Sequence, residues 1–302
     1  MNKSEYNSGE GRHALSIRQG ENVTIKNLTI RDSGGDGIYI AGGNNRNYSR
    51  DITIENVTCD NNRRQGMSII SAENVYVRNS TFKGSSGTNP EAGVALEPNA
   101  SDERLVNINF SNCVFTRNDS MGFLLSTGKL NSSSTPISVS VKDSEFSYNS
   151  DAAASGIVNS EIILSQGQIT NPVRGDVKFE RIYFNGSNNR ILMYRNASDA
   201  YDVQFKDCTA KNVARRENRG VIELQALSIE NSIGGISFDN FRLEYSNNTP
   251  FLRIEAPSSG TVLRDVSGDF IVDEPYDNPI TYSGGYDEDR NINVNISYRH
   301  ID

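Results

Sequence analysis

The chain has 302 residues, a net charge of −8 and only 35% apolar residues. An acidic balance without a basic cluster argues against a nucleic-acid partner, and no apolar run reaches the roughly 18 residues of a membrane span. Such polarity would suit a disordered chain, but the β-branched and aromatic residues recur with a fixed period, which disorder does not produce.

In chain order the sequence predicts short strands and no helix, because apolar residues alternate with period two and no stretch sustains a period of 3.6. The first strand is Ala14-Leu15-Ser16-Ile17. An alternating run then recurs at Val23-Thr24-Ile25, Ile52-Thr53-Ile54, Val75-Tyr76-Val77, Ile108-Asn109-Phe110, Val139-Ser140-Val141, Val177-Lys178-Phe179, Val203-Gln204-Phe205 and Ile236-Ser237-Phe238. Weaker copies lie near Val262 and at Val294-Asn295-Ile296. A unit of about 30 residues made of strands cannot bury its apolar face alone, so the copies must stack as a solenoid. The unbroken period makes residues 1–302 one elongated domain.

Three columns run through the repeats. After each strand stands a polar residue: Asn27, Asn56, Asn79, Asn112, Asp143, Asp207 and Asn240, with Arg181 interrupting in the longest repeat. Three places on comes an interior residue: Ile30, Cys59, Phe82, Phe115, Phe146, Phe184, Ala210 and Leu243. Short polar side chains at each bend can bond along the ladder to backbone groups, with aromatics stacked beneath them. The third column is Gly37, Gly66, Gly93, Gly122, Gly156 and Gly220, each opening a second strand, where glycine accepts a positive φ or a tight bend.

Other stretches carry weaker expectations. The Ser-rich 126–136 and Ala-rich 152–156 are expected to be insertions that wall a groove. Cys59, Cys113 and Cys208 read as small core residues. With two distant histidines and no paired cysteines, no metal site is expected, and no cofactor. The repeat is already running at Ala14 with no cap before it, so the chain is expected to be a fragment of a longer protein that supplies the cap and further domains.

Three stretches carry a family resemblance: Gly34-Gly35-Asp36-Gly37-Ile38-Tyr39, Arg63-Arg64-Gln65-Gly66, and Pro90-Glu91-Ala92-Gly93-Val94-Ala95-Leu96-Glu97-Pro98-Asn99. With the columns, residues 12–298 resemble the right-handed parallel β-helix superfamily, the pectin-lyase-like fold of polysaccharide lyases, polygalacturonase-type hydrolases and phage tailspike depolymerases. The resemblance implies an all-β, single-domain right-handed parallel β-helix of about ten rungs, a polysaccharide substrate, and a secreted or extracellular location. The Gly-His-Gly element of polygalacturonase-type hydrolases and the Asp-Pro-His-Asp element of mannuronan epimerases are both absent.

Outward residues of the second strand fall one above the next at about 4.8 Å per rung, so the solenoid offers a side-chain ladder to a chain-like ligand. Along it the sequence places Asp36, Tyr39, Arg64, Glu97, Tyr194, Arg195, Glu223 and Arg253, with Glu223 fitting only if the register slips by one residue. Asp36 and Glu97 are two rungs apart, about 9.6 Å between backbones, near the spacing of the two carboxyl groups of an inverting glycosidase. The leading expectation makes Glu97 the general acid and Asp36 the general base, with Arg64 orienting them and Tyr39, Tyr194, Arg195, Glu223 and Arg253 binding substrate. One alternative is a lyase using Tyr194 with Arg195 or Arg253 on a uronate sugar. Another is a non-catalytic glycan-binding or structural solenoid. His13, at a frayed start, reads as a poor candidate for any triad.

Overall fold

The computed structural model describes the chain except residues 1, 2, 6, 8, 151–159, 168–169, 217–218, 227–231, 257–259, 274–277, 285, 287, 301 and 302. Gly156 and the stretch 152–156 lie outside the described residues. Ten short strands, from Leu15–Arg18 and Ile38–Ala41 through to Leu252–Glu255 and Ile280–Ser283, stack in one sheet. A longer, fifteen-stranded sheet forms alongside, because most coils give it two strands, as with Ala72–Arg78 followed by Thr81–Lys83. Every pairing between successive coils is parallel, as in Ile38↔Met67 and Val75↔Ile108. The result is a right-handed parallel β-solenoid of about nine turns. Among the described residues no helix is long and apolar enough to cross a membrane.

Each sequence column meets one physical demand. Asn27, Asn56, Asn79, Asn112, Asp143, Arg181, Asp207 and Asn240 all have φ between 50° and 54°, the left-handed region that Asn and Asp tolerate best among residues with a Cβ. Several of their side chains bond to one another along the ladder: Asn56 Nδ2 donates to Asn27 Oδ1 at 2.7 Å, and Asn240 Nδ2 to Asp207 Oδ1 at 2.8 Å. Arg181 holds its place in the ladder by gripping Asp143 through Nε and Nη2 at 2.6 and 3.0 Å. Replacing Asn112 with Ala should cost about 1 kcal/mol in urea unfolding, and replacing it with Gly less, because only the Cβ is penalised at positive φ.

Beneath the bends the rings of Phe82, Phe115, Phe146 and Phe184 stack at 4.4 to 5.6 Å. Each is fully buried, so each contributes on the order of 2–3 kcal/mol of apolar burial. The glycine column has a different cause from the expected bend. A Cβ on Gly66 would stand 2.5 Å from Gly93 O, and on Gly37 and Gly93 the next coil's carbonyl lies at 2.6 and 2.7 Å. None of these three has a positive φ; the coils approach too closely there for any side chain. Cys59, Cys113 and Cys208 are buried free thiols whose pKa values burial pushes up.

Candidate functional site

The central row of the short sheet's outer face is not one continuous polar ladder. It runs Tyr39, Ser68, Ala95, Leu124, Ile163, Met193, Glu223, Arg253. Ala95, Leu124, Ile163 and Met193, with Ala92 and Met121, form a buried apolar cluster separate from the solenoid core. On this row polar groups are therefore confined to two clusters, around Ser68 and around Glu223, five strand spacings or about 24 Å apart along the stack, while the neighbouring outward row carries Ser126, Ser165 and Arg195 in register between them.

The first cluster is built where Gly34-Gly35-Asp36-Gly37 turns into the strand Ile38–Ala41. Gly35 packs against the backbone of Arg12, which would lie 2.9 Å from a Cβ, and this close approach brings the segment before Ala14 against Asp36. The Asp36 side chain is fully sealed, 0% exposed. Ser68 Oγ donates to its Oδ2 at 2.8 Å, Arg64 Nη1 lies 3.4 Å from both oxygens, and His13 Nδ1 is 3.2 Å from Oδ2. The side chain expected to act as base thus has no exposed surface in this arrangement, its oxygens facing Ser68, Arg64 and His13.

Arg64 joins the expected pair as a bridge. Its Nη2 lies 3.9 Å from Glu97 Oε2, so one guanidinium touches both carboxylates and holds them under about 10 Å apart. Gln65 Nε2 donates to Glu97 Oε2 at 3.3 Å. Glu97 keeps 28% of its side chain exposed. Burial pushes its pKa up, against the opposing pull of Arg64 and Gln65. Tyr39 is half-buried; burial raises its phenol, its ring stacks on His13 at 4.2 Å, and Arg18 lies over the ring at 4.8 Å. His13 is the group that the sequence reading set aside. Its signal was positional: it stands two residues before Leu15 as Asp36 stands two before Ile38, and those strands pair in register.

The second cluster lies on later coils. Glu223 occupies the outward row between Met193 and Arg253 with no slip of register. It is fully buried and paired with Arg190 at 2.6 Å and Arg219 at 2.9 Å. Burial raises its carboxyl, and the neighbouring Glu255 adds to this over the opposing pull of the two arginines. Glu255 is buried less; against that burial, Glu223, Arg219 and Arg253 lower its pKa. Arg219 also pairs with Glu255, while Arg253 Nη2 stands 3.6 Å from Glu255 Oε2 and Arg195 Nε donates to Gln225 Oε1 at 2.6 Å.

Tyr194 does not line the groove. It faces the interior between Leu164 and Leu224, fully buried, with its hydroxyl donating to Gly234 O at 2.5 Å. Tyr194 and Arg195 are adjacent in one strand and so point to opposite faces. Among the described residues no group of three or more His, Cys, Asp or Glu is placed to hold a metal ion.

The family model described as right handed beta helix region matches residues 13–196. No curated protein sequence matches the chain. Among solved structures, the crystal structure of pectate lyase Pel9A aligns with a TM-score of 0.50 at 15% identity, covering 92% of this chain and 56% of that one. The chain thus spans little more than half the length of that structure, and the likeness is one of fold.

Proposed function

We propose, since this chain belongs to the right-handed β-helix family, that it is a polysaccharide-degrading enzyme acting outside the cell and hydrolysing glycosidic bonds on the outer face of its short sheet. The observation that carries the reading is Glu97: a carboxyl group at the mouth of the first cluster, held by Gln65 and Arg64 and partly exposed, whose pKa burial pushes up. A carboxyl group whose proton is held more tightly than usual beside solvent is suited to protonate the leaving oxygen of a glycosidic bond. The fold shared with pectate lyase Pel9A supports a polymer substrate laid against the sheet.

A second reading has its own observation. Arg190, Arg195, Arg219 and Arg253 gather around two carboxylates in an otherwise acidic protein, an arrangement suited to the carboxylate of a uronate sugar and hence to β-elimination. The test is incubation with a panel of neutral and uronate-containing polysaccharides, reading product masses and ultraviolet absorbance. Hydrolysis gives saturated ends with one added water per cut. Unsaturated, absorbing ends establish the lyase instead, and binding without cleavage of any member makes the chain a glycan-binding solenoid.

A further inference from the structure

Hydrolysis with Glu97 as the acid needs a second group that takes a proton from the attacking water, and Asp36 has no exposed surface. We infer that His13 is this catalytic base and that Asp36 is its positioning residue, an inference that rests on the hydrolytic reading of the same site. The coil-to-coil register makes the pair. Ala14 N donates to Asp36 O and Leu15 N to Gly37 O, both at 3.0 Å, so His13 is pinned on the coil beside Asp36.

The imidazole is held on two sides. Nδ1 lies 3.2 Å from Asp36 Oδ2, and the ring is stacked on Tyr39 with only 14° between planes. Its side chain is 8% exposed. Nε2 makes no hydrogen bond to a described residue. The Asp36 amide also approaches Nδ1, at 3.3 Å, so two tautomers compete. A proton on Nδ1 gives the charge-assisted bond to a buried carboxylate, and that bond is stronger than a neutral amide donating to nitrogen. The lone pair is then on Nε2, the arrangement by which a carboxylate sets the tautomer of a catalytic histidine.

The charged and titratable groups around the imidazole are Asp36, backed by Arg64 and Ser68, and Tyr39, with Arg18 over its ring. Glu97, near Glu10, faces the same space beyond Arg64. His13 precedes the first strand of the short sheet and Glu97 follows the fourth, three spacings or about 14 Å by backbone, and Arg64 reaches into the interval. In the step, a water proton passes to Nε2 while the water oxygen bonds to the anomeric carbon. The glycosidic C–O bond breaks, its electron pair goes to the leaving oxygen, and that oxygen takes the Glu97 proton. The imidazolium is left opposite Asp36 and the carboxylate beside Arg64; solvent returns the proton from His13 to Glu97.

The test combines nitrogen-15 spectroscopy with kinetics. The chain has two histidines, His13 and His300, so His300→Gln assigns the spectrum. The expected result is neutral His13 with its proton on Nδ1 in the wild type, moving to Nε2 in Asp36→Asn. On the polysaccharide cleaved best, His13→Gln should lower kcat about 10²-fold and remove the fall in activity at acid pH, with the melting temperature unchanged. A wild-type proton on Nε2, or a His13→Gln variant keeping more than a tenth of kcat with the same pH profile, overturns the inference. A wild type that cleaves nothing overturns the hydrolytic reading beneath it, and the tautomer result tells the two failures apart.

Discussion

Glu97→Gln should lower kcat by about 10³-fold with KM little changed, because the variant keeps the shape and the Gln65 contact and loses only the proton. Burial raises the Glu97 pKa, so the acid stays loaded above the usual carboxylate range. Wild-type activity should therefore persist through mildly acidic pH and fall as pH rises through that raised value, since a general acid works only while protonated. Arg64 pulls the other way, so Arg64→Gln should move the alkaline fall to higher pH while weakening substrate alignment. These profiles are read from kcat against pH for the three proteins. A Glu97→Gln enzyme with a tenth or more of wild-type turnover would remove Glu97 from the chemistry.

The fold was legible where one column of the sequence answers one physical demand. A left-handed bend selects Asn or Asp at Asn56 and Asn112, a stacked interior selects Phe at Phe115 and Phe146, and a carbonyl at 2.5 Å selects glycine at Gly66. The site was less legible because alternation fails where both faces of a strand are buried. In Arg190–Arg195 five of six residues are buried, Met193 in the outer apolar cluster and Tyr194 in the core, so the run Ile191-Leu192-Met193-Tyr194 gives no parity. Tyr194 looked polar enough for a groove, yet its hydroxyl finds Gly234 O across the interior. The same burial hides the apolar stretch that separates the two polar clusters. His13 was passed over for its place near the start of the chain, although counting back from Leu15 and Ile38 sets it beside Asp36.

Arg190→Met should destabilise the protein by about 3–5 kcal/mol at neutral and alkaline pH, the cost of leaving a buried carboxylate without its cation. The pair is well placed for so large an effect: Glu223 is fully buried, Arg190 nearly so, and they meet at 2.6 Å. Arg219 remains at 2.9 Å but is divided between Glu223 and Glu255. The pH dependence follows from the raised Glu223 pKa. A group that holds its proton more tightly when folded contributes stability that is complete below the unfolded carboxylate range and lost as pH rises through the folded value. Removing Arg190 strengthens that bias, so the loss should be small in acid, where Glu223 is neutral and little but packing changes, and should grow as pH rises. Urea unfolding of wild type and variant at acid and alkaline pH measures it. The double variant Arg190→Met/Glu223→Leu should recover most of the loss, because two apolar side chains bury without an uncompensated charge. A loss that is independent of pH and persists in the double variant would mean that Arg190 acts through packing alone.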